Sequence, residues 1–532
     1  MFRTPSHAPA APEGWWNSRA YIIVLMLIAA MPLVYPHIPP LTDLMGHMGR
    51  YRVELADPSS PLLTRFYDFK WAVMGNLGVD LLIIPMSKIF GLELGLKLIV
   101  LAIPPLTALG MLLIAREVHG RLPATAVFAL PLVYGFPFQW GFLNFALSMA
   151  LALNAFSLWL RLARQGRFQL RAWLFVPIGA VIWFAHSFGW GVLGLLAFAA
   201  EYVRYRDHGK NFFVSVWRGG LACLPLAPPL ALMLAWRSGS VSGQTTDWFN
   251  WSAKLVYFMS TLRNHWMHLD VASLCLLVGL ALCGLLGMGL RLNRTLGHGA
   301  LVLIAAFLLL PRIALGSAYT DMRLAPFMVA IAVLALLPRT DDRRWLNGLA
   351  IAALALFVVR IGVSTLRFAE VDRNYRVQLA ALDHVPRGSR VFVLVDLPCL
   401  SRWDPTRMDH LGAMAIVRRE AFVNGQWSMA GAQLLRIKYA PAKGFAEDPT
   451  QILRPKWCRD PRARTLEYSL AHFPRDAFDF VWLIDARPAR WPNQPDLRQV
   501  WHGPHSGALY RVVGSATAAS ETPKGSDRPA TQ

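Results

Sequence analysis

WAVMGNLGVDLLIIPMSKIFG, residues Trp71 to Gly91, is the stretch whose reading decides how this chain is threaded. It is apolar enough to be a membrane span, yet Asn76, Asp80, Pro85 and Lys88 interrupt it, each costly in hydrocarbon. Around it, stronger apolar runs occupy residues 20–37, 94–115, 122–138, 141–160, 170–186, 188–205, 217–236, 271–290, 299–316, 323–338 and 345–363, so the expectation is about 11 transmembrane helices. Basic loops set the parity. Arg161 to Arg171 (RLARQGRFQLR), Tyr202 to Arg218, Arg291 to Arg294 and Arg339 to Arg344 belong on the cytoplasmic side. Counting back from them, Arg116 to Arg121 is also inside and residues 38–93 stay outside. A crossing at Trp71 to Gly91 would turn every basic loop outward. The stretch is therefore read as juxtamembrane or re-entrant, with its backbone buried in protein. The N-terminus is then inside and the C-terminus outside.

Composition agrees with a polytopic membrane protein. The 532 residues are 55% hydrophobic, with a mean hydropathy of +0.38 and a pI near 10.3. The first span lacks a small-residue cleavage site and reads as a retained anchor. A net charge of +21 raises the possibility of a nucleic-acid partner. The arginines, however, are scattered over short loops without a concentrated basic arm, so anionic membrane lipids are the expected counter-ions and nucleic acid is not. The expected domains are a polytopic domain over residues 1–366, with outer loops 38–93 and 238–270, an extracytoplasmic α/β domain over 367–514 and a disordered tail over 515–532.

Directly after the first span comes LTDLMGHMGRYR, Leu41 to Arg52. If Thr42 or Asp43 caps a helix, Asp43 and His47 lie one turn apart and Arg50 follows on the same side. An acid, an imidazole and a guanidinium then face one cleft. The plainer alternative is an interfacial helix with a capping acid and snorkelling arginines. The same topology gathers Gln139, Asn144, His186, Tyr319, Asp321 and Arg323 on the outer face. Arg323 also reads as a snorkelling cation or a partner of Asp321, and His186 as a packed histidine among Trp183, Phe184, Phe188 and Trp190. His265, His268 and Asp270 have loose metal-like spacing, although a solvated interfacial face is the favoured reading.

Beyond Arg367 the apolar runs shorten to strand length. Arg390 to Leu397 (RVFVLVDL) and Phe478 to Asp485 (FDFVWLID) read as buried strands, Asp409 to Arg419 as a helix, and Phe422 to Asn424, Gln499 to Trp501 and Ala508 to Val513 as shorter strands. Cys399 and Cys458, the only cysteines of this region, are candidates for a disulfide. Nucleotide loops, zinc signatures and GxSxG elbows are missing from the sequence, so any group transfer at the outer face needs a donor carried in the membrane.

In these features the chain resembles the GT-C superfamily of integral-membrane glycosyltransferases. The matching parts are Asp43 just after the first span, the juxtamembrane segments between Ser60 and Gly91, the basic loop AREVHGR at Ala115 to Arg121, and a soluble C-terminal domain on the outer face. Where many members carry a further acid after the third span, FPFQWGFLNFALS at Phe136 to Ser148 has Gln139 and Asn144. The resemblance implies an all-α polytopic domain followed by a small α/β domain, in a bacterial inner (plasma) membrane protein of the cell envelope. It implies a polyprenyl-phosphate-linked sugar as donor and a glycan, lipid or protein as acceptor. Asp43 would be the catalytic base, and His47, Arg50, Arg52 and Arg323 the substrate-binding residues. No cofactor is specified, and a divalent cation stays open in the absence of a clear metal site. Two other classes remain: a transporter or flippase of a lipid-linked substrate, which would show inverted repeats and a mid-membrane polar path, and a non-catalytic assembly protein on the same scaffold.

The topology is tested by reporter fusions. Fusions after Arg121, Arg164 and Arg339 are expected to report the cytoplasm and a fusion after Ala516 the opposite side; a cytoplasmic signal at Ala516 would overturn the orientation.

Overall fold

A computed structural model describes residues 14–57, 59, 61–238, 245–314, 317–399, 402–428, 433–458, 460 and 464–514. The tail from Ser515 lies outside the described residues. The chain is largely helical, with a β-containing C-terminal region. Five helices are long and apolar enough to cross a membrane: Leu92–His119, Leu143–Arg164, Phe168–Ala185, Met267–Leu286 and the one beginning at Arg343. A sixth arises if Phe212–Ala222 and Leu224–Leu234, bent by 43° at their junction, form one broken span. Large apolar side chains such as Leu27, Trp173, Leu234 and Leu285 point outward from these and neighbouring helices, a surface that hydrocarbon solvates and water does not.

The expected eleven spans are thus reduced to five or six by this measure, for visible reasons. Arg19–Val34 and Arg294–Leu309 are helices of 16 residues, about 24 Å long against a hydrocarbon core of about 30 Å. The run at 122–138 is mostly a 3-10 helix, Ala126–Tyr134, around Pro131. Ser187–Asp207 carries Glu201, Arg204 and Arg206 in its last turns. The helix at 323–338 is Thr320–Leu334, 15 residues that include Asp321 and Arg323. Within the stretch that set the parity, the helix is Gly78–Phe90, 13 residues, or about 20 Å, too short to span.

Buried charges tie the helices together. Arg50 forks onto both carboxylate oxygens of Asp80, with Nη2 3.1 Å from Oδ2, and both side chains are almost fully buried. Asn144 extends the network by donating to Asp80 Oδ2 at 3.0 Å and accepting from the Val79 amide at 2.6 Å. Glu201 accepts from Arg171, Arg204 and the Trp159 indole. Asp270, read from sequence as part of a solvated face, is buried and accepts from Arg360, the Trp403 indole and the Asn264 amide. In a medium of low polarity each such charge is tolerable only with its partner in place.

The C-terminal region is built on a six-stranded sheet whose order is Leu497–His502, Ala508–Val512, Phe480–Ile484, Arg390–Asp396, Phe422–Val423, with Ile452–Leu453 also pairing with Arg390–Asp396. The central Arg390–Asp396 and Phe480–Ile484 strands are parallel, Val393 opposite Trp482, and almost continuously apolar because both faces are covered. Cys399 and Cys458 form a disulfide, their Cα atoms 5.4 Å apart. Two links to the helical part were not legible in sequence. The Arg343–Leu379 helix runs 37 residues without a break, so the expected boundary at residues 366 and 367 falls inside one rigid rod. Tyr67–Phe69, from the first outer loop, pairs antiparallel with Leu435–Ile437.

The Arg50–Asp80 pair generates a prediction. Asp80→Asn leaves a buried guanidinium without its counter-charge, which typically costs about 3–5 kcal/mol. Thermal unfolding of the purified protein is expected to show a clear fall in Tm; an unchanged Tm would remove the pair from its structural role.

Candidate functional site

The seam between the helical part and the C-terminal region holds a cavity of about 320 Å³, lined by residues of both. Its first wall is built by the chain leaving the Arg19–Val34 helix, which prolines 36, 39 and 40 keep from continuing. The Asp43 amide donates to Trp140 O at 2.8 Å and the Thr42 amide to Gln139 O at 3.3 Å, while Thr42 Oγ1 donates to Thr406 O at 2.7 Å. Gly141 sits in the left-handed region at φ +99°, and a Cβ there would lie 2.9 Å from the Asp43 nitrogen, so only glycine permits this approach. Asp43 occupies the N-cap position of the Leu44–Glu54 helix, yet its side chain makes no capping hydrogen bond. The carboxylate instead lines the cavity, with Oδ1 3.7 Å from His410 Nε2. Burial raises its pKa well above the usual carboxylate range, and Asp409 and Asp448 add to this against the opposing pull of Arg323 and a hydrogen bond from Trp140.

His47 follows one helical turn on and also lines the cavity. Its ring lies 5.2 Å from that of Trp427, which packs in turn 4.3 Å from the His410 ring. Gly46 makes room for this indole, because a Cβ would fall 2.4 Å from its ring. Burial, and then the charges of Arg50 and His410, hold the His47 pKa well below the ordinary imidazole value. Its Nδ1 is buried without a hydrogen-bond partner among the described residues.

Arg323 forms the opposite wall. It is 8% exposed, stacks over Phe142 at 4.4 Å, and reaches His186 Nε2 at 3.3 Å and Ala318 O at 3.4 Å. No carboxylate among the described residues pairs with it. Asp321, the partner offered by sequence, is engaged by Lys254 at 3.1 Å.

The structure therefore brings Asp43, His47 and Arg323 to one cavity, with His186 and Asn144. It does not bring Arg50 or Arg52 there. Arg50 turns back onto Asp80, and Arg52 pairs with Glu420, which also binds Arg387 at 2.8 Å. Gln139 is buried just behind the site, accepting from Arg407 Nη2 at 2.8 Å. Asp485 borders a different cavity, and Asp396 pairs with Arg490. The residues sequence reading missed are Asp409, His410, Trp427, Asp448 and Arg454, all from the C-terminal region. The helix expected at Asp409 to Arg419 begins later, as a 3-10 turn Leu411–Ala413 running into Met414–Arg419, which leaves Asp409 and His410 at its entrance. Their only sequence signal was an adjacent acid and imidazole. Among the described residues no three His, Cys, Asp or Glu side chains group to hold a metal ion.

The fold and site define a polytopic, helix-rich protein whose small α/β region closes a polar cavity at one end of the helices. Over nearly its whole length it is similar to two crystal structures of ArnT from Cupriavidus metallidurans. For the apo state the identity is 12% and the TM-score 0.47, covering 92% of this chain and 97% of that one. For the form bound to undecaprenyl phosphate the identity is 12% and the TM-score 0.48, covering 94% and 99%. No protein-family model and no curated protein matches the sequence.

The environment of Asp43 has a pH signature. A carboxyl whose folded pKa is raised contributes stability that is complete below the unfolded value of about 4 and is lost as pH rises through the folded value. Asp43→Asn removes this loss, so Tm of the variant minus Tm of the wild type is expected to grow as pH rises above about 4 and then level off. A difference that stays flat across that range would place Asp43 in a water-like setting.

Proposed function

We propose that this chain is a membrane glycosyltransferase, moving a sugar from a polyprenyl-phosphate donor to an extracytoplasmic glycan, lipid or protein acceptor at the Asp43 cavity. The observation that carries the reading is Arg323: a buried guanidinium facing a cavity, without a carboxylate partner among the described residues, is a standing site for a ligand oxyanion. Asp43 lies across the same cavity.

The chemistry needs both. The acceptor hydroxyl attacks the anomeric carbon of the donor sugar and loses its proton to the Asp43 carboxylate. The bond from that carbon to the phosphate oxygen breaks, and the electron pair leaves with the polyprenyl phosphate, whose growing negative charge Arg323 stabilises. A raised carboxyl pKa suits Asp43 to the task, because it makes the ionised form a stronger base near neutral pH. His47, held neutral, serves as a hydrogen-bonding group for donor or acceptor. Arg50 and Arg52 hold the wall in place through Asp80 and Glu420, and the C-terminal region covers the site and selects the acceptor with Trp427 and Arg454. The protein resides in a bacterial inner membrane with this cavity outside the cytoplasm.

Transfer from a polyprenyl-phosphate-linked sugar, measured in membranes with matched protein levels, tests this. Asp43→Asn is expected to lower the rate by about 10²- to 10⁴-fold, the range for loss of a general base. Arg323→Gln is expected to lower kcat as well as raise the KM for donor, because the guanidinium would meet the donor phosphate in the bound state and its growing charge in the transition state. Wild-type transfer by Asp43→Asn, or no transfer by the wild type from any polyprenyl-phosphate sugar, would overturn the reading.

A further inference from the structure

At the other end of the helices lies a second cavity, of about 720 Å³. It adjoins the start of the Arg19–Val34 helix, whereas the Asp43 cavity lies beyond that helix's end, so about 24 Å of helix separates the two. Stretches far apart in sequence meet there. The turn Trp15–Asn17 forms one wall, Arg121 enters just after the Leu92–His119 helix, and Arg343 opens the longest helix. Between them runs a two-stranded ribbon, Leu290–Leu292 against Leu336–Pro338, which sets Arg291 opposite Leu337 and delivers Arg339 at its exit.

Among the described residues, four arginines therefore line one cavity with a single acid, Asp341. That acid sits 3.8 Å from Arg121. Arg291, Arg339 and Arg343 make no ion pair among the described residues. Clustered cations repel one another unless an anion joins them, and arginine forks match phosphate oxygens bidentately. Trp15, Leu337 and Leu346 supply an apolar rim. Basic pockets at the cytoplasmic ends of membrane helices, beside interfacial aromatics, are built to hold anionic headgroups.

We propose that this cavity binds a phosphate-bearing anion through Arg291, Arg339 and Arg343, as a site separate from the Asp43 cavity. Two sources share that chemistry, the headgroup of an anionic phospholipid and a soluble phosphate. The full-length protein, purified and exchanged into phosphatidylcholine, is mixed either with vesicles containing cardiolipin or with inorganic pyrophosphate, and the bound probe is counted by native mass spectrometry. Wild type is expected to retain one of the two, and which one names the source. The double variant Arg291→Gln/Arg339→Gln is expected to lose roughly tenfold or more of that retention. Arg294→Gln, which on the same face pairs with Asp207 outside the cavity, is expected to keep it, and matched thermal unfolding shows that the double variant is folded. Retention undiminished in the double variant, an equal loss in Arg294→Gln, or no retention of either probe by the wild type would overturn the proposal. Sugar transfer is not the readout, so the result stands independently of the function assigned to the Asp43 cavity.

Discussion

Arg50 and Asp80 hold this structure's site together. Their bidentate pair is fully buried, and it fastens the short Leu44–Glu54 helix, which begins immediately after Asp43, to the Gly78–Phe90 helix and through Asn144 to Leu143–Arg164. In a poorly polar interior such a pair adds little net stability over an apolar packing of the same shape. It does penalise every arrangement in which either charge is left alone. That penalty is what keeps the helix, and with it Asp43 and His47, from sliding.

The same constraint makes the cavity legible as a site. Several buried charges elsewhere in the helical part are answered within the protein: Lys254 by Asp321, Arg360 by Asp270, Arg171 and Arg204 by Glu201. Arg323 is buried against aromatic rings and a histidine, with no such answer among the described residues. The nearest answer to that charge is Asp43 across the cavity, whose ionisation burial resists and Arg323 itself favours.

Closure of the cavity depends on close backbone approach. Trp427 reaches His47 and His410 because residue 46 has no side chain, and the loop at Gly141 lies against Asp43 for the same reason. Arg407 adds a clasp, binding Gln139 and the Pro40 carbonyl from the C-terminal side. The unbroken Arg343–Leu379 helix and the pairing of Tyr67–Phe69 with Leu435–Ile437 fix the α/β region over the helices. The result is a wall contributed by residues some hundreds of positions away from Asp43.

The sequence by itself determined the local and periodic features. Apolar runs predicted helices, short β-branched and aromatic runs predicted the Arg390–Asp396 and Phe480–Ile484 strands, the two cysteines of one region predicted their disulfide, and position after the first span singled out Asp43. These depend on side-chain pattern along the chain, which a sequence displays directly. It overstated the number of helices long enough to span, because apolarity alone does not measure where proline, 3-10 geometry or a terminal charge shortens a helix. Tertiary structure alone decided which charged groups share a cavity. Arg50 and Arg323 look alike in sequence, each an arginine shortly after an acid at a helix start, yet one is consumed by Asp80 and the other is left facing Asp43. Electrostatic partnership acts through space over a few ångströms, and the two acids and one histidine that join Asp43 in lining the cavity, Asp409, Asp448 and His410, reach it only when the C-terminal region folds back over the helices.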